Sequence, residues 1–204
     1  MKIDAIFSNF VGGNVLKTIN NDALETFILD LEKKDKGRII SNYGGWQSND
    51  LSLQENSLKD LIVEIEKNLV PFDEVLCVRK EFKLAIGNLW ANVNGLGAMN
   101  LPHIHYGSVL SGVYYVTLPD KSGRLKLMNP NPFNFSALQS LGGIGMFTEK
   151  PTSFTTEHLE LLAAPGALLI FPSHLCHYVL PNLSKEKRIA FSFNTKIEKR
   201  YPHN

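Results

Sequence analysis

The sequence has almost no cysteine. Cys77 and Cys176 are the only two in 204 residues, too few for a disulfide framework. Cys77 lies in the apolar stretch Val75–Val78 and reads as a small core residue. Cys176 directly precedes His177 and reads as a packing residue, a neighbour of a metal, or a redox-sensitive thiol. Long hydrophobic runs are also missing: none approaches the ~20 residues of a membrane helix. The start of the chain lacks a basic-then-apolar leader pattern. The expectation is a chain with no membrane partner in a reducing, cytoplasmic setting. Charge of one sign is absent too. With 21 basic against 20 acidic residues the net charge is +1, which gives no sign of the clustered basic surface that nucleic acid requires. The densest basic run, Lys33, Lys34 and Lys36, is interrupted by Asp35 and reads as a solvated helix face.

What is present is a chain long enough for one domain, 1–204, which at this size buries roughly 70% of its unfolded surface. Its two parts read differently. Residues 1–80 form a helical front. Leu24, Phe27, Ile28 and Leu31 recur at helical spacing from Asn20 to Lys34, with Asn20, Asn21 or Asp22 as cap and Gly37 as terminator. A second helix is expected from Ser57 to Leu69, ended by Pro71. From 81 to 204 the period shortens to two. Leu89, Ala91 and Val93 alternate with Asn88, Trp90, Asn92 and Asn94. Ile189, Phe191 and Phe193 alternate with Arg188, Ala190, Ser192 and Asn194. Further short strands are expected over Ser111–Leu118, Arg124–Met128 and Ala167–Phe171. The fold class is mainly β with N-terminal helices, an antiparallel sandwich or barrel. The front helices pack either on that barrel or on a second copy of the chain, making a homodimer. Between Met128 and Leu159 there is little periodicity, and the segment reads as a lid or as an insertion.

Six histidines occur, and their distribution carries the chemistry. His103 and His105 form an H-x-H pair, and on an extended segment both imidazoles reach the same point. Imidazole suits iron, zinc, copper or nickel. A second cluster follows the apolar run Ala167–Phe171: His177 leads back toward the core and is the third ligand candidate, while His174 reads as exposed. His158 and His203 have no partners in sequence and are expected at the surface. Arg188 opens an otherwise apolar strand. It either points inward, where a guanidinium needs a carboxylate partner, or sits exposed beside Glu186.

These pieces together resemble a family of 2-oxoglutarate- and Fe(II)-dependent oxygenases from bacteria and phages. The resemblance runs over about 82–196. It rests on Trp90, Asn92, Gly97, His103, His105, Ser111 to Val116, Gly123, Asn129-Pro130, Pro165-Gly166, Phe171-Pro172-Ser173, His177, Pro181, Arg188 and Ser192-Phe193-Asn194. It implies a double-stranded β-helix, a jelly-roll or cupin-like barrel, with Fe(II) on His103, His105 and His177. It also implies 2-oxoglutarate on Arg188, with Ser192 as a hydrogen-bond donor. Asn88, Trp90, Asn92 and Tyr115, with Tyr106 as a weaker candidate, are expected to line the pocket. One departure stands out: the wider superfamily carries H-x-D or H-x-E where this chain has His105, and no Asp or Glu occurs from Asn88 to Pro119. Either both histidines of the pair bind, or one supports the other. The chain also resembles cupins, with Gly97 six before His103 and Gly166 six before Pro172, but the cupin glutamate is missing. The alternatives are therefore a cupin-type metal dioxygenase or isomerase working without 2-oxoglutarate, and a non-catalytic ligand-binding barrel. The substrate, a protein side chain or a small metabolite, is not specified by any motif.

Overall fold

The computed structural model describes residues 1–2, 6–131, 149–150, 152 and 154–200. Most of the segment read as lid or insertion, and His203, lie outside the described residues.

Helix α1 spans Asn21–Lys34, and the Asn20 side chain caps it by accepting from the Ala23 N–H at 3.1 Å. Its amphipathic spacing buries Leu24 and Ile28. It ends at Asp35 rather than at Gly37, because Asp35 turns extended while its N–H still donates to Leu31. Helix α2, Lys59–Val75, follows a short 3-10 turn at Asn56–Leu58 and does not stop at Pro71. Proline removes a helical donor and crowds the carbonyl four residues back, but tertiary anchors hold the following turn. Phe72 is buried against Phe10. The Asp73 carboxylate accepts from the Leu84 N–H at 2.8 Å and from Arg200 at 2.9 Å. That continuation also overturns the core assignment of Cys77. The apolar stretch is a helix end, and Cys77 is exposed with φ 49°.

Among the described residues, eleven strands form two sheets: β1 Gly12–Val15, β2 Asn42–Tyr43, β3 Trp46–Gln47, β4 Phe82–Asn94, β5 Met99–His103, β6 Leu110–Thr117, β7 Leu125–Met128, β8 His158–Glu160, β9 Ala167–Pro172, β10 His177–Val179 and β11 Arg188–Lys199. The first sheet has the order β1-β9-β6-β11-β4-β3 and the second β2-β5-β10-β7-β8, with antiparallel pairing throughout. This is a double-stranded β-helix. The front of the chain is not only helical: β1 and β3 close the two edges of the first sheet and β2 ends the second.

Period-two alternation divides the interior into two cores. On β4 and β11, Leu89, Ala91, Val93, Ile189, Phe191 and Phe193 pack outward against Leu24, Ile28, Leu61, Ile65 and Leu69 of the helices. The helices thus pack on the barrel of their own chain. Ala190 of β11 faces inward and joins Tyr115, Leu125, Leu127, Leu169 and Phe171 between the sheets. Cross-strand pairing sets Ala190 beside Asn92, Ser192 beside Trp90 and Arg188 beside Asn94, so the inward face of this strand pair is a polar stripe.

Gly112, paired with Phe193 across β6 and β11, shows how tightly the outer core is filled: a Cβ there would stand 2.2 Å from the Phe193 ring. Gly112→Ala is expected to destabilise the fold by about 1–3 kcal/mol through overpacking, measured as a lowered midpoint in urea unfolding with unchanged slope.

Candidate metal and cosubstrate site

His103 ends β5 and His177 opens β10, and the two are direct cross-strand partners. His105 lies just beyond β5, where its N–H donates to Ser173 O at 3.0 Å. The Ser173 N–H in turn donates to Val109 O at 3.1 Å, so main-chain bonds fix the segment. One ring nitrogen from each of His103, His105 and His177 lies within 4.8 Å of the others, and this is the group of potential metal ligands that the described residues contain. The ring centroids are 4.3 to 5.1 Å apart. Cys176 is half-buried and outside the group. His174 is exposed, with Nε2 3.1 Å from Asn9 Oδ1. His158 is half-buried edge-on to Tyr178 rather than at the surface.

Two of the three rings are oriented by the same device. His103 Nδ1 is 2.6 Å from Leu101 O, and His177 Nδ1 is 2.8 Å from Leu175 O. A carbonyl only accepts, so each Nδ1 carries the proton and each Nε2 presents its lone pair. His105 is wedged instead against the Trp90 ring, 5.7 Å between centroids. Burial pushes His177 down to about 3, with neighbouring His103 adding to the effect. Burial, then His103, takes His105 to about 4. Burial also lowers His103, partly offset by its bond to Leu101. All three are therefore neutral at physiological pH, the form that binds metal.

The histidines sit at the mouth of a cavity lined by Trp90, Asn92, Asn94, Ser111, Tyr115, Phe171, Arg188 and Ser192. Arg188 points inward and is buried, not exposed beside Glu186. Its Nη1 donates to the carbonyls of Ser122, Gly123 and Leu180, the last two at 3.3 and 3.2 Å. Its buried Nη2 has no partner, and no carboxylate among the described residues pairs with it. Burial lowers its pKa, opposed by nearby Tyr115, and burial raises the Tyr115 phenol to about 12. Asn92 Nδ2 donates to Ser192 Oγ at 3.0 Å, which leaves the serine hydroxyl proton free to donate onward.

Of the expected lining residues, Trp90, Asn92 and Tyr115 border this cavity. Asn88 belongs instead to an outer cleft of about 350 Å³, shared with Arg38, Ile40, Gln47, Leu101, Pro102, His103 and His105. There Asn88 donates to Asp50 at 3.3 Å. It is removed from the inner cavity by its place farther along β4, beside Asn194. Tyr106 is 90% exposed and lines neither space, because it follows the end of β5 and points off the barrel. Arg38, 5.9 Å from the Trp90 ring centroid and 2.5 Å from Asp50, has no sequence signature as a cleft residue.

These imidazole pKa values set the direction of a pH effect. A folded-state pKa below the free value of ~6.5 means that the unfolded chain takes up protons first as pH falls. Stability is thus full above ~6.5 and is lost progressively toward the folded values of about 4 and 3. The thermal midpoint of the metal-free protein is expected to drop from pH 7 to 4.5 by more than that of a His105→Gln/His177→Gln variant.

The sequence pattern of the 2OG-Fe(II) oxygenase family matches residues 88–194, just over half of the chain. No curated protein matches. Among solved structures, a prolyl-4-hydroxylase of Pseudomonas putida is similar with a TM-score of 0.59 at 12% identity, covering 95% of each chain. HygX of Streptomyces hygroscopicus, with nickel and 2-oxoglutarate bound, gives 0.58 at 13% identity over 91% of this chain and 82% of its own. The viral collagen prolyl hydroxylase of Paramecium Bursaria Chlorella virus-1, also a 2-oxoglutarate complex, gives 0.54 at 13% identity over 91% and 94%. At these identities the structures establish a shared fold, and the family match establishes the family. The matched segment holds all three histidines, Arg188 and the polar stripe of β4 and β11, and the chain belongs to the 2OG-Fe(II) oxygenases, enzymes that use Fe(II) and 2-oxoglutarate.

Proposed function

We propose that His103, His105 and His177 hold Fe(II) through their Nε2 atoms, and that Arg188 with Ser192 holds the distal carboxylate of 2-oxoglutarate. The observation that carries this is the Arg188 Nη2, a buried cationic donor with no protein partner in a cavity that ends at the three imidazoles. A planar guanidinium suits a carboxylate, and three neutral nitrogens suit iron. The residues present therefore fit both groups. Bound together, Fe(II) and 2-oxoglutarate supply the oxidising power that inserts one atom of dioxygen into an unactivated C–H bond, with succinate and carbon dioxide as co-products.

The protein's own part is to bind, orient and exclude water. Asn92 sets the Ser192 hydroxyl as a donor. Tyr115, its pKa up at about 12, stays a neutral phenol beside the guanidinium. Phe171 packs edge-on to His177, 4.8 Å between centroids, and closes the apolar side. The outer cleft, bounded by Trp90, Arg38 and Leu101, receives the substrate, a small metabolite or a protein side chain. Arg188 also favours this reading over a cupin-type enzyme without a cosubstrate, since such a site gives a buried guanidinium no anion to meet.

Anaerobic titration of Fe(II)-loaded protein with 2-oxoglutarate is expected to give the weak visible band of the chelate. Arg188→Ala should lose at least ~2 kcal/mol of cosubstrate binding, the scale of a charge-assisted pair left unmade, and still retain iron. Iron binding without a band would reject the cosubstrate assignment. No iron binding by the unaltered protein would reject the histidine assignment; on that assignment His177→Ala should lose the iron that the unaltered protein binds.

A further inference from the structure

In the turn before β7, main-chain oxygens rather than side chains converge on one nitrogen of Arg188. Ser122 N donates to Pro119 O at 3.1 Å and closes the turn. Lys121 and Gly123 both have positive φ, 61° and 82°. Leu183 N donates to Lys121 O at 2.8 Å, and Leu180 N to Arg124 O at 3.1 Å, which tie the turn to the connection between β10 and β11. The result is the set of three carbonyls, from Ser122, Gly123 and Leu180, around Arg188 Nη1. Nη1 carries two N–H groups, so it is fully provided for, while Nη2 receives nothing. Gly123 is required twice over. Its φ lies where L side chains rarely go. A Cβ there would stand 2.0 Å from Leu180 O and 2.8 Å from Arg188 Nη1.

We infer that Gly123 is a positioning residue for the cosubstrate: it lets the turn and Leu180 pin one nitrogen of Arg188, so that the other is held ready for a ligand carboxylate. This rests on the reading of Arg188 as the carboxylate anchor. A side chain ordered before the ligand arrives spares binding the cost of ordering it. The cradle therefore acts on cosubstrate affinity and not on the metal.

The test compares Gly123→Ala with Gly97→Ala. Gly97 has nearly the same φ, 81°, but a Cβ there meets nothing within 4 Å. It thus imposes the same backbone strain away from Arg188. In Fe(II)-loaded protein under air, with ascorbate supplying the two electrons that a second substrate would otherwise give, turnover of 2-oxoglutarate to succinate is measured, together with 2-oxoglutarate binding. Gly123→Ala is expected to raise KM and Kd for 2-oxoglutarate by about tenfold or more, with kcat at saturation and Fe(II) affinity retained, and Gly97→Ala to leave KM unchanged. Unchanged affinity in Gly123→Ala, or equal losses in both variants, would overturn the inference. If Gly123→Ala does not fold, nitrogen-15 spectra of the unaltered protein decide: the Nη1 and Nη2 signals of Arg188, assigned by their loss in Arg188→Lys, are expected to be separate, and averaging of the two would refute the cradle. Full 2-oxoglutarate affinity in Arg188→Ala would instead refute the anchor reading, and would leave the spectral result standing as evidence on the cradle alone.

Discussion

A guanidinium taken out of water must recover its hydration from somewhere, and the arrangement of this barrel follows from where Arg188 finds it. Removing one ion from water costs several kcal/mol even after the protein relaxes. Three carbonyls meet the cost on one nitrogen, and the other nitrogen stays unmet inside a cavity. That cavity exists because β4 and β11 turn their apolar residues toward the helices and leave Asn92, Asn94, Ser192 and Arg188 facing in. The helices are thus part of the site's construction: without them the outward faces of Phe191 and Phe193 would have no core to join.

The metal group complements this charge arrangement in an uncommon way. The ligands proposed for it are three neutral imidazoles, with no carboxylate in the group among the described residues. A divalent ion held there would keep its full charge, and Arg188 adds another charge to the same cavity. On the proposed assignment, a dianionic cosubstrate spanning the two would neutralise both ends. Cosubstrate and metal affinity should accordingly be more strongly coupled here than where a ligand carboxylate shares the charge.

Much of this was legible in the sequence, and for a definite reason. The long strands β4 and β11 have enough residues for a period of two to declare itself, and that alternation correctly separated Arg188 and Ser192 from Ile189 and Phe191. The H-x-H spacing and the turn into His177 were equally readable. What escaped lacks a side-chain signature. Strands β2 and β3 are two residues each, too short for any period, and β1 is built on glycines. Pro71 signals a helix stop through its local effect, which the anchoring of Phe72 and Asp73 overrides. Asn88 shares the face of Trp90 and Asn92, but alternation says which side a residue faces and not how far along the barrel it sits. The carbonyls of Ser122 and Leu180 are invisible in principle, because a main-chain oxygen is the same in every residue. Only the glycine that permits the approach leaves a mark.

The edge positions of β1, β2 and β3 bear on how far the enzyme can be trimmed. The family pattern begins at residue 88, but the strands that cap both sheets come from before residue 48. A fragment holding only the matched segment would bare the hydrogen-bonding edges of β9 and β5 and leave Phe193 and its neighbours uncovered. Open edges of that kind recruit other chains. The stretch of sequence that identifies the enzyme is therefore smaller than the stretch that keeps it from aggregating.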